Sequence, residues 1–360
     1  MLIYVCSSSH GFGHAARDAA VLQQLHRLRP DWRLVISSMV PEAFLIDLLG
    51  FDAVEVRPCR WDVGMVQADA LGSDPPRTLD ALAELETQLP VQLSDEADWI
   101  RAQGLPVLVI GDIPPAAADL ADRLDAPLVW IGNFGWDEIY APFGGAFLAH
   151  AESARHRYGR GNLLLRCPFD LAMDWGIPQD QLPLVCSEPR GLPPSLREQL
   201  RSIEKPLVML SFGGMGLEVD PGLFRRWPSH HFLMASAVGG ADQNQLDQLD
   251  NVAILPQGVR PLDVFPFCDR HIGKPGFSTF CEAMSLKVGL HVVERQDFAE
   301  VNALMDGLQR HSRHRVLSRD AFMTGDWKLD RPLHPPSSSP LESDGAQRAA
   351  QIILSFCGQI

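Results

Sequence analysis

Short apolar runs alternate with stretches of helical spacing along this chain, and the alternation starts afresh in the second half. Such alternation is typical of βαβ units, in which helices join parallel strands and cover both faces of the sheet. A chain of 360 residues is long for one hydrophobic core and comfortable as two. The sequence therefore predicts an α/β protein with two doubly wound domains in tandem.

The predicted elements follow from these periodicities. Strands are predicted at Leu2–Cys6, Arg33–Ser37, Ala53–Val56, Val107–Ile110, Leu128–Ile131 and Leu163–Arg166, and then at Leu207–Ser211, Phe232–Ser236, Val252–Leu255, His271–Gly273 and Leu290–Val293. Helices are predicted at Ala15–Leu28, Pro41–Leu49, Leu79–Ala102, Ala116–Leu124, Ser278–Leu286 and Glu300–Arg310.

Proline frequency marks the predicted domain boundary. Residues 185–207 are rich in proline and charge, which suits a connector better than an element interior. We therefore expect an N-terminal domain over 1–190 and a second domain over 191–345. A Pro/Ser-rich loop at 331–345 precedes a helical tail, 346–360, which we expect to pack back on the first domain.

Composition limits the partners and the compartment. The net charge of −14 would repel nucleic acid, and no apolar run approaches the roughly 20 residues of a membrane span. Seven cysteines without a Cys-x-x-Cys spacing argue against a disulfide framework and favour a reducing cytoplasm. The short apolar N-terminus lacks the basic region of a signal peptide.

The segment Ser7–His14 (SSSHGFGH) follows the first predicted strand and opens a helix. Ligands of doubly wound sheets bind at the carboxyl ends of strands, near helix N-termini. Gly11 and Gly13 allow a tight turn, and His14 at the helix start has an imidazole suited to act as general base for a sugar hydroxyl. The alternative is that His14 only caps or packs the helix.

Two further glycine-containing loops lie in the second half. The strand at 207–211 runs into Gly213 and Gly214, which begin a glycine-rich loop that extends to Gly216. Such a loop can offer its backbone N–H groups to a diphosphate, or it can be a simple turn. Beyond the strand at 271–273, the segment Lys274–Ala283 (KPGFSTFCEA) places Ser278 and Glu282 four residues apart, on one face of a helix. Glu282 is then suited to bind both hydroxyls of a ribose, unless it is a solvated surface carboxylate.

Together these three loops resemble those of the glycosyltransferase-B superfamily, which includes the UDP-glycosyltransferases and the glucosaminyltransferase of peptidoglycan lipid intermediates. The matching positions are Gly11, Gly13, His14, Gly213, Gly214, Gly276, Thr279 and Glu282. The resemblance implies two Rossmann-like domains facing a cleft. It also implies that His14 is either the general base or a residue that contacts the sugar. In addition it implies that the Gly213–Gly216 loop faces the diphosphate and that Glu282 binds the ribose.

A closer resemblance is to the glycosyltransferase-like domain attached to L-arabinokinases and to stand-alone proteins similar to it. The matching stretches are His10–Arg17, Gly111–Pro115, Asn133–Tyr140 and Arg295–Glu300. Kinase activity is not implied, because in those proteins it belongs to a separate domain. UDP-glycosyltransferases usually carry an Asp/Glu-Gln pair or a Gln that holds the donor sugar shortly before the Asn that corresponds to Asn302. This sequence departs from that pattern, because Phe298 and Ala299 occupy the nearest positions.

Further candidate ligand contacts come from the same stretches. Asn133, Trp136 and Asp137 follow a predicted strand, so Trp136 is expected to stack on a sugar ring and Asp137 to bind its hydroxyls, although aromatic residues there are more often core. Asp112 is expected to orient His14 or an acceptor hydroxyl. The remaining candidates for nucleotide, sugar or acceptor are His10, Lys274, Ser278, Arg295, Asp297, Glu300 and Asn302.

These features predict a glycosyltransferase that moves a sugar from a nucleoside-diphosphate sugar to a small-molecule or lipid-linked acceptor, with inversion. No cofactor is expected, because the chain has no Asp-x-Asp to bind a metal–diphosphate. An epimerase or hydrolase of sugar nucleotides on the same fold is one alternative. A non-catalytic module that binds sugar nucleotides and regulates another protein is a second.

Overall fold

The computed structural model describes residues 1–66, 72–213, 219–235, 246, 248–295 and 298–358. The chain forms two compact units. The first comprises Met1–Ser187, Asp297–Ala303 and Glu342–Ile360, and the second comprises Glu188–Gln296 and Leu304–Leu341. The first unit therefore takes in two segments from the second half of the sequence.

The first unit contains a seven-stranded parallel sheet within the described ranges, in the order β3-β2-β1-β4-β5-β6-β7. Its strands are β1 (Leu2–Ser7), β2 (Arg33–Ser37), β3 (Val54–Arg57), β4 (Val107–Asp112), β5 (Leu128–Gly132), β6 (Leu163–Arg166) and β7 (Gln179–Gln181). Strands β1 and β5 are buried along their whole length, as expected for a parallel sheet covered by helices on both faces.

The helices of the first unit connect these strands in sequence. They are α1 (Gly13–Leu28), α2 (Glu42–Leu49), α3 (Pro75–Ala102), α4 (Ala116–Leu124), α5 (Trp136–Tyr140) and α6 (Phe147–Tyr158). The C-terminal helix, Gly345–Cys357, packs against α1. No helix in the described part of the chain is both long and apolar enough to cross a membrane.

The second unit repeats the architecture with a six-stranded parallel sheet over its described residues, in the order β10-β9-β8-β11-β12-β13. The strands are β8 (Leu207–Leu210), β9 (His231–Met234), β10 (Val252–Ile254), β11 (Arg270–Gly273), β12 (Gly289–Val293) and β13 (His314–Leu317). The helices over these described residues are α7 (Pro194–Ser202), α8 (Pro261–Val264), α9 (Phe277–Ser285), α10 (Glu300–His311), whose first residues belong to the first unit, and α11 (Arg319–Met323). The C-terminal helix of the first unit is α12 (Gly345–Cys357).

The prediction of two doubly wound domains is confirmed, and each predicted strand and helix overlaps an observed one. The interpretation of 185–207 as connector missed helix α7. This helix begins at Pro194, and proline is well tolerated in a first helical turn because the N–H it lacks has no helical partner there. Strand β7 was also missed, since its three residues are polar and exposed and carry no apolar pattern.

Each sheet has one topological switch point, where the strand order reverses. It lies between β1 and β4 in the first unit and between β8 and β11 in the second. Ligands of open α/β sheets bind outside the carboxyl ends of the strands at such points. The topology therefore selects the loops after these four strands as the candidate sites, the same loops that carry most of the predicted functional residues.

Candidate active site

The switch point of the first unit brings together the ends of β1 and β4. Ser7, the last residue of β1, pairs with Asp112, the last residue of β4. Gly11 allows the connecting turn because its φ is +78°, in the left-handed region that favours glycine. Helix α1 starts two residues later, which places His14 in its first turn.

His14 and Asp112 form a buried hydrogen-bonded pair. Nδ1 of His14 lies 2.8 Å from Oδ1 of Asp112, whose side chain is fully buried. An ionised carboxylate only accepts hydrogen bonds, so this contact requires a proton on Nδ1. In the neutral imidazole the lone pair is then on Nε2, the arrangement in which a carboxylate orients a histidine base.

A chain of polar contacts extends from this pair. Nε of Arg17 donates to Oδ2 of Asp112 at 2.8 Å, and Nη2 of Arg17 donates to Oδ1. Nη1 of Arg17 donates to Oδ1 of Asn133 at 2.8 Å. The Asn133 amide donates to Oε1 of Glu300, also at 2.8 Å. Residues from α1, β4, the loop after β5 and α10 therefore share one network within the first unit.

The charge on Asp112 depends on its neighbours. Burial acts to raise the pKa of Asp112, but the charges of Arg17 and His14 outweigh burial and hold that pKa well below its usual range. Burial, with the Asp112 charge next to it, raises the pKa of Asp18 well above its ordinary value. Asp112 is therefore ionised at neutral pH, while the pKa of its neighbour Asp18 is shifted in the opposite direction.

His10 lies beside this network among aromatic rings. Its ring stacks on Phe298 with centroids 5.6 Å apart and meets the Trp136 ring edge-on at 5.2 Å. Its Nδ1 accepts a hydrogen bond from the backbone N–H of Met65 at 3.3 Å. Phe298 is thus part of the wall that holds His10.

The expectation that Trp136 stacks on a sugar ring is wrong, because the ring is fully buried. Its indole N–H donates to Oδ2 of Asp62 at 2.8 Å, and its ring stacks on Tyr140. The expectation that Asp137 binds sugar hydroxyls is wrong for the same reason. Asp137 is buried and accepts a hydrogen bond from Trp175. Both residues support the site from the core.

The switch point of the second unit carries a cationic cluster. Lys274 directly follows β11, and its side chain passes close to Gly213 in the loop after β8. A methyl group placed on Gly213 would lie 3.7 Å from Cε of Lys274. Burial, with the positive charge of Arg295, lowers the pKa of Lys274 to about 8. Lys274 and Arg295 are both partly buried cations, and their combined positive charge favours an anionic ligand.

Helix α9 starts beside this cluster, after Gly276. Ser278, Thr279 and Glu282 lie on it as the sequence predicts, each partly buried. Burial raises the pKa of Glu282 to about 7, although the charge of Arg260 acts in the opposite direction. Arg260 is itself paired with Asp263, with an N–O distance of 2.6 Å. Glu282 is therefore a carboxylate that titrates near neutral pH.

The other candidates have separate outcomes. Asn302 is exposed on α10 and belongs, like Glu300, to the segment that joins the first unit. Gly214 and Asp297 lie outside the described residues. Among the residues that the structure describes, no group of three or more His, Cys, Asp or Glu side chains is arranged to hold a metal ion.

Sequence reasoning missed several site residues. Arg17 lies three residues after His14, so helical spacing puts both on one face of α1, a signal that was available. Asp62 had no such signal, because it reaches the site from the irregular loop after β3. For Phe298 the signal was indirect, because the sequence marked it only as a departure from the UDP-glycosyltransferase pattern before Asn302.

Two doubly wound parallel sheets, each with charged side chains at its switch point, are the architecture of the glycosyltransferase-B fold. Comparison with solved structures shows this fold. CalG4, the calicheamicin glycosyltransferase, superposes with a TM-score of 0.64 at 17% identity over 99% of this chain and 98% of that chain. UGT2 of Phytolacca americana, complexed with UDP-2fluoro-glucose and pterostilbene, superposes with a TM-score of 0.63 at 14% identity, over 99% and 94%.

Among curated proteins, L-arabinokinase of Arabidopsis thaliana is 27% identical over 332 residues, which cover 89% of this chain. The chain spans 31% of the length of that relative. No protein-family model matches the chain. The chain therefore has the glycosyltransferase-B fold, and its likeness to L-arabinokinase concerns about a third of that protein.

Proposed function

We propose that this protein is a glycosyltransferase that moves a sugar from a nucleoside-diphosphate sugar to the hydroxyl group of an acceptor, without a metal and with inversion at the anomeric carbon. The observation that carries the proposal is the buried His14–Asp112 pair at the switch point of the first unit. The pair supplies a histidine base with a defined tautomer where ligands of this fold class bind.

The proposed reaction is a single displacement. Nε2 of His14 takes the proton of the acceptor hydroxyl while the hydroxyl oxygen forms a bond to the anomeric carbon. The bond from that carbon to the diphosphate oxygen breaks, and the nucleoside diphosphate leaves with the electron pair. Asp112 stabilises the imidazolium that forms, as a carboxylate does in other base–carboxylate pairs.

The second unit supports the proposal through its anion-binding features. Lys274, Arg295 and the backbone near Gly213 are suited to the diphosphate, and the start of α9 adds the favourable end of a helix dipole. Glu282, ionised, accepts hydrogen bonds from both hydroxyls of a ribose. Solved proteins of the same fold include one complexed with UDP-2fluoro-glucose, which makes UDP sugars the first donors to test.

The test is a donor–acceptor screen on the purified protein. It uses UDP-, GDP- and TDP-sugars with a panel of hydroxyl acceptors and detects the released nucleoside diphosphate together with the glycosylated product. Acceptor-dependent release of nucleoside diphosphate supports transfer. Conversion of the sugar nucleotide without any acceptor would contradict it and favour an epimerase or hydrolase.

A second candidate is a non-catalytic module that binds a sugar nucleotide. Phe298 favours it, because this buried ring lies near the positions where the resemblance to UDP-glycosyltransferases implies a Gln that holds the donor sugar. The match to about a third of a longer relative is also in keeping with a module of a larger system. Calorimetric binding of a sugar nucleotide with no turnover on any acceptor would support this candidate and contradict the first.

A further inference from the structure

Arg17 is the permanent cation of the His14 network. Its side chain is 1% exposed, and it donates to both oxygens of Asp112 and to the side-chain oxygen of Asn133. A guanidinium that contacts a carboxylate through two parallel N–H groups fixes both its position and its plane. Arg17 therefore determines how the Asp112 carboxylate faces the imidazole.

The same geometry decides which nitrogen of His14 carries the proton. Nη2 of Arg17 lies 3.0 Å from Nδ1 of His14, and Oδ1 of Asp112 lies 2.8 Å from it. If Nδ1 had no proton, it would accept from Arg17 and face the carboxylate lone pairs at close range. While Asp112 stays ionised, the Nδ1–H tautomer is the favourable one, because it turns that repulsion into a charge-assisted hydrogen bond.

Arg17 is the neighbour that stabilises the negative charge of Asp112. Those that face the carboxylate are His14, Arg17 and Asp18 from α1 and Cys167 after β6. Burial raises the pKa of Asp18 well above its ordinary value and that of Cys167 to about 12, and neither group can supply a positive charge. Ser7 and Asn133 are neutral. Among the described residues that face this carboxylate, a protonated His14 is the other cation that could compensate its charge if Arg17 were removed.

We propose that Arg17 is a positioning residue, which holds Asp112 ionised and aligned so that His14 keeps its proton on Nδ1 and presents Nε2 as the base. The proposal rests on the proposed transfer reaction for its catalytic meaning. Its structural content concerns the tautomer of His14 and can be measured in the free protein, without any substrate.

The first measurement is ¹⁵N NMR of the wild-type protein with labelled histidine, in which a long-range ¹H–¹⁵N correlation distinguishes the two tautomers. The His14 signals are assigned from their loss in His14→Gln. We expect a protonated Nδ1 near pH 8. An Nε2–H tautomer in the wild type overturns the proposal, and this result needs neither transferase activity nor an Arg17 variant that folds.

The second measurement compares two variants. Arg17→Lys keeps the positive charge but loses the paired N–H groups that bind both oxygens of Asp112, and Arg17→Gln loses the charge and the paired N–H groups. Arg27→Lys is the matched control, because Arg27 is an exposed arginine of the same helix. We expect Arg17→Gln to lose the single Nδ1–H tautomer. Its kcat should fall roughly tenfold more between pH 8.5 and pH 6 than that of the wild type, as expected if the carboxylate takes up protons at a higher pH.

Arg17→Lys should keep the wild-type shape of the pH profile with a lower kcat. A purely structural role predicts that both variants lose activity equally, with an unchanged pH profile and an unchanged tautomer, and that result overturns the proposal. If the wild type transfers no sugar to any acceptor, the proposed function fails. The NMR comparison then still decides whether Arg17 sets the tautomer.

Discussion

Nδ1 of His14 lies 2.8 Å from Oδ1 of Asp112, although 98 residues separate them in the chain. The contact exists because β1 and β4 are neighbours in the sheet, so that their carboxyl ends meet. A histidine at a helix start and an aspartate at a strand end thereby become one functional pair. Four predictions follow from this site and from its counterpart in the second unit.

Replacing His14 by alanine should remove the base while leaving nucleotide binding nearly intact. We expect kcat to fall by about 10²–10⁴-fold, the usual contribution of general base catalysis. The Kd for UDP, measured by calorimetry, should stay close to the wild-type value, because the lost interaction is made to the acceptor in the transition state. His156→Ala, a change at an exposed position of α6, is the control. Unchanged turnover in His14→Ala would remove His14 from the mechanism.

Affinity for a UDP sugar should be highest between about pH 7 and pH 8. The pKa of Glu282 is raised to about 7, so this carboxylate becomes protonated and loses its ribose contacts as the pH falls through 7. The pKa of Lys274 is lowered to about 8, so its charge is lost as the pH rises through 8. A UDP sugar is the suitable probe, because its diphosphate has no terminal group that titrates in this range.

Calorimetric titrations from pH 5.5 to pH 9.5 check this profile, and two variants separate its sides. Glu282→Gln should abolish the fall on the acid side, and Lys274→Arg should move the fall on the alkaline side to higher pH. A flat profile in the wild type would show that neither group contacts the nucleotide.

Removing the Glu300 side chain should destabilise the first unit. Asn133 is 1% exposed, and in Glu300→Ala its amide loses a hydrogen-bond acceptor in a buried place. An unsatisfied buried donor costs about 1–3 kcal/mol, so the thermal unfolding midpoint should fall by several degrees. Glu300→Gln retains an acceptor oxygen and should recover most of the loss. Equal midpoints for Glu300→Ala and the wild type would contradict the prediction.

Gly64 controls the position of His10. Its φ is +69°, and a methyl group there would lie 2.5 Å from Nδ1 of His10, so Gly64→Ala both strains the backbone and displaces the imidazole. Gly104→Ala is the matched control, because Gly104 has φ +65° with nothing within 4 Å of the added carbon.

We expect both alanine variants to lose about 1–3 kcal/mol of stability from backbone strain. Only Gly64→Ala should also change the NMR signals of His10 and lower the kcat/KM of transfer. Identical effects of the two substitutions would show that the His10 position does not depend on this glycine.

The sequence alone determined the architecture. Its apolar runs are short and nearly continuous in β1, β4 and β5, because strands buried on both faces exclude polar residues. Regular spacing likewise identified α1 and α4, and glycines after β1 and β8 marked the loops where ligands bind. These signals are local, so they can be read without knowing which elements meet.

The tertiary structure decided which side chains form the site and which support it. Asn133 and Glu300 are 167 residues apart, and only the folding of segment Asp297–Ala303 onto the first unit joins them. Trp136 looked like a ligand platform from its place after a strand, yet packing against Tyr140 and Asp62 buries it completely. The local sequence pattern specifies whether a segment forms a helix or a strand. The exposure of each side chain and its contacts depend on the other elements that pack against that segment. The local pattern does not contain that information.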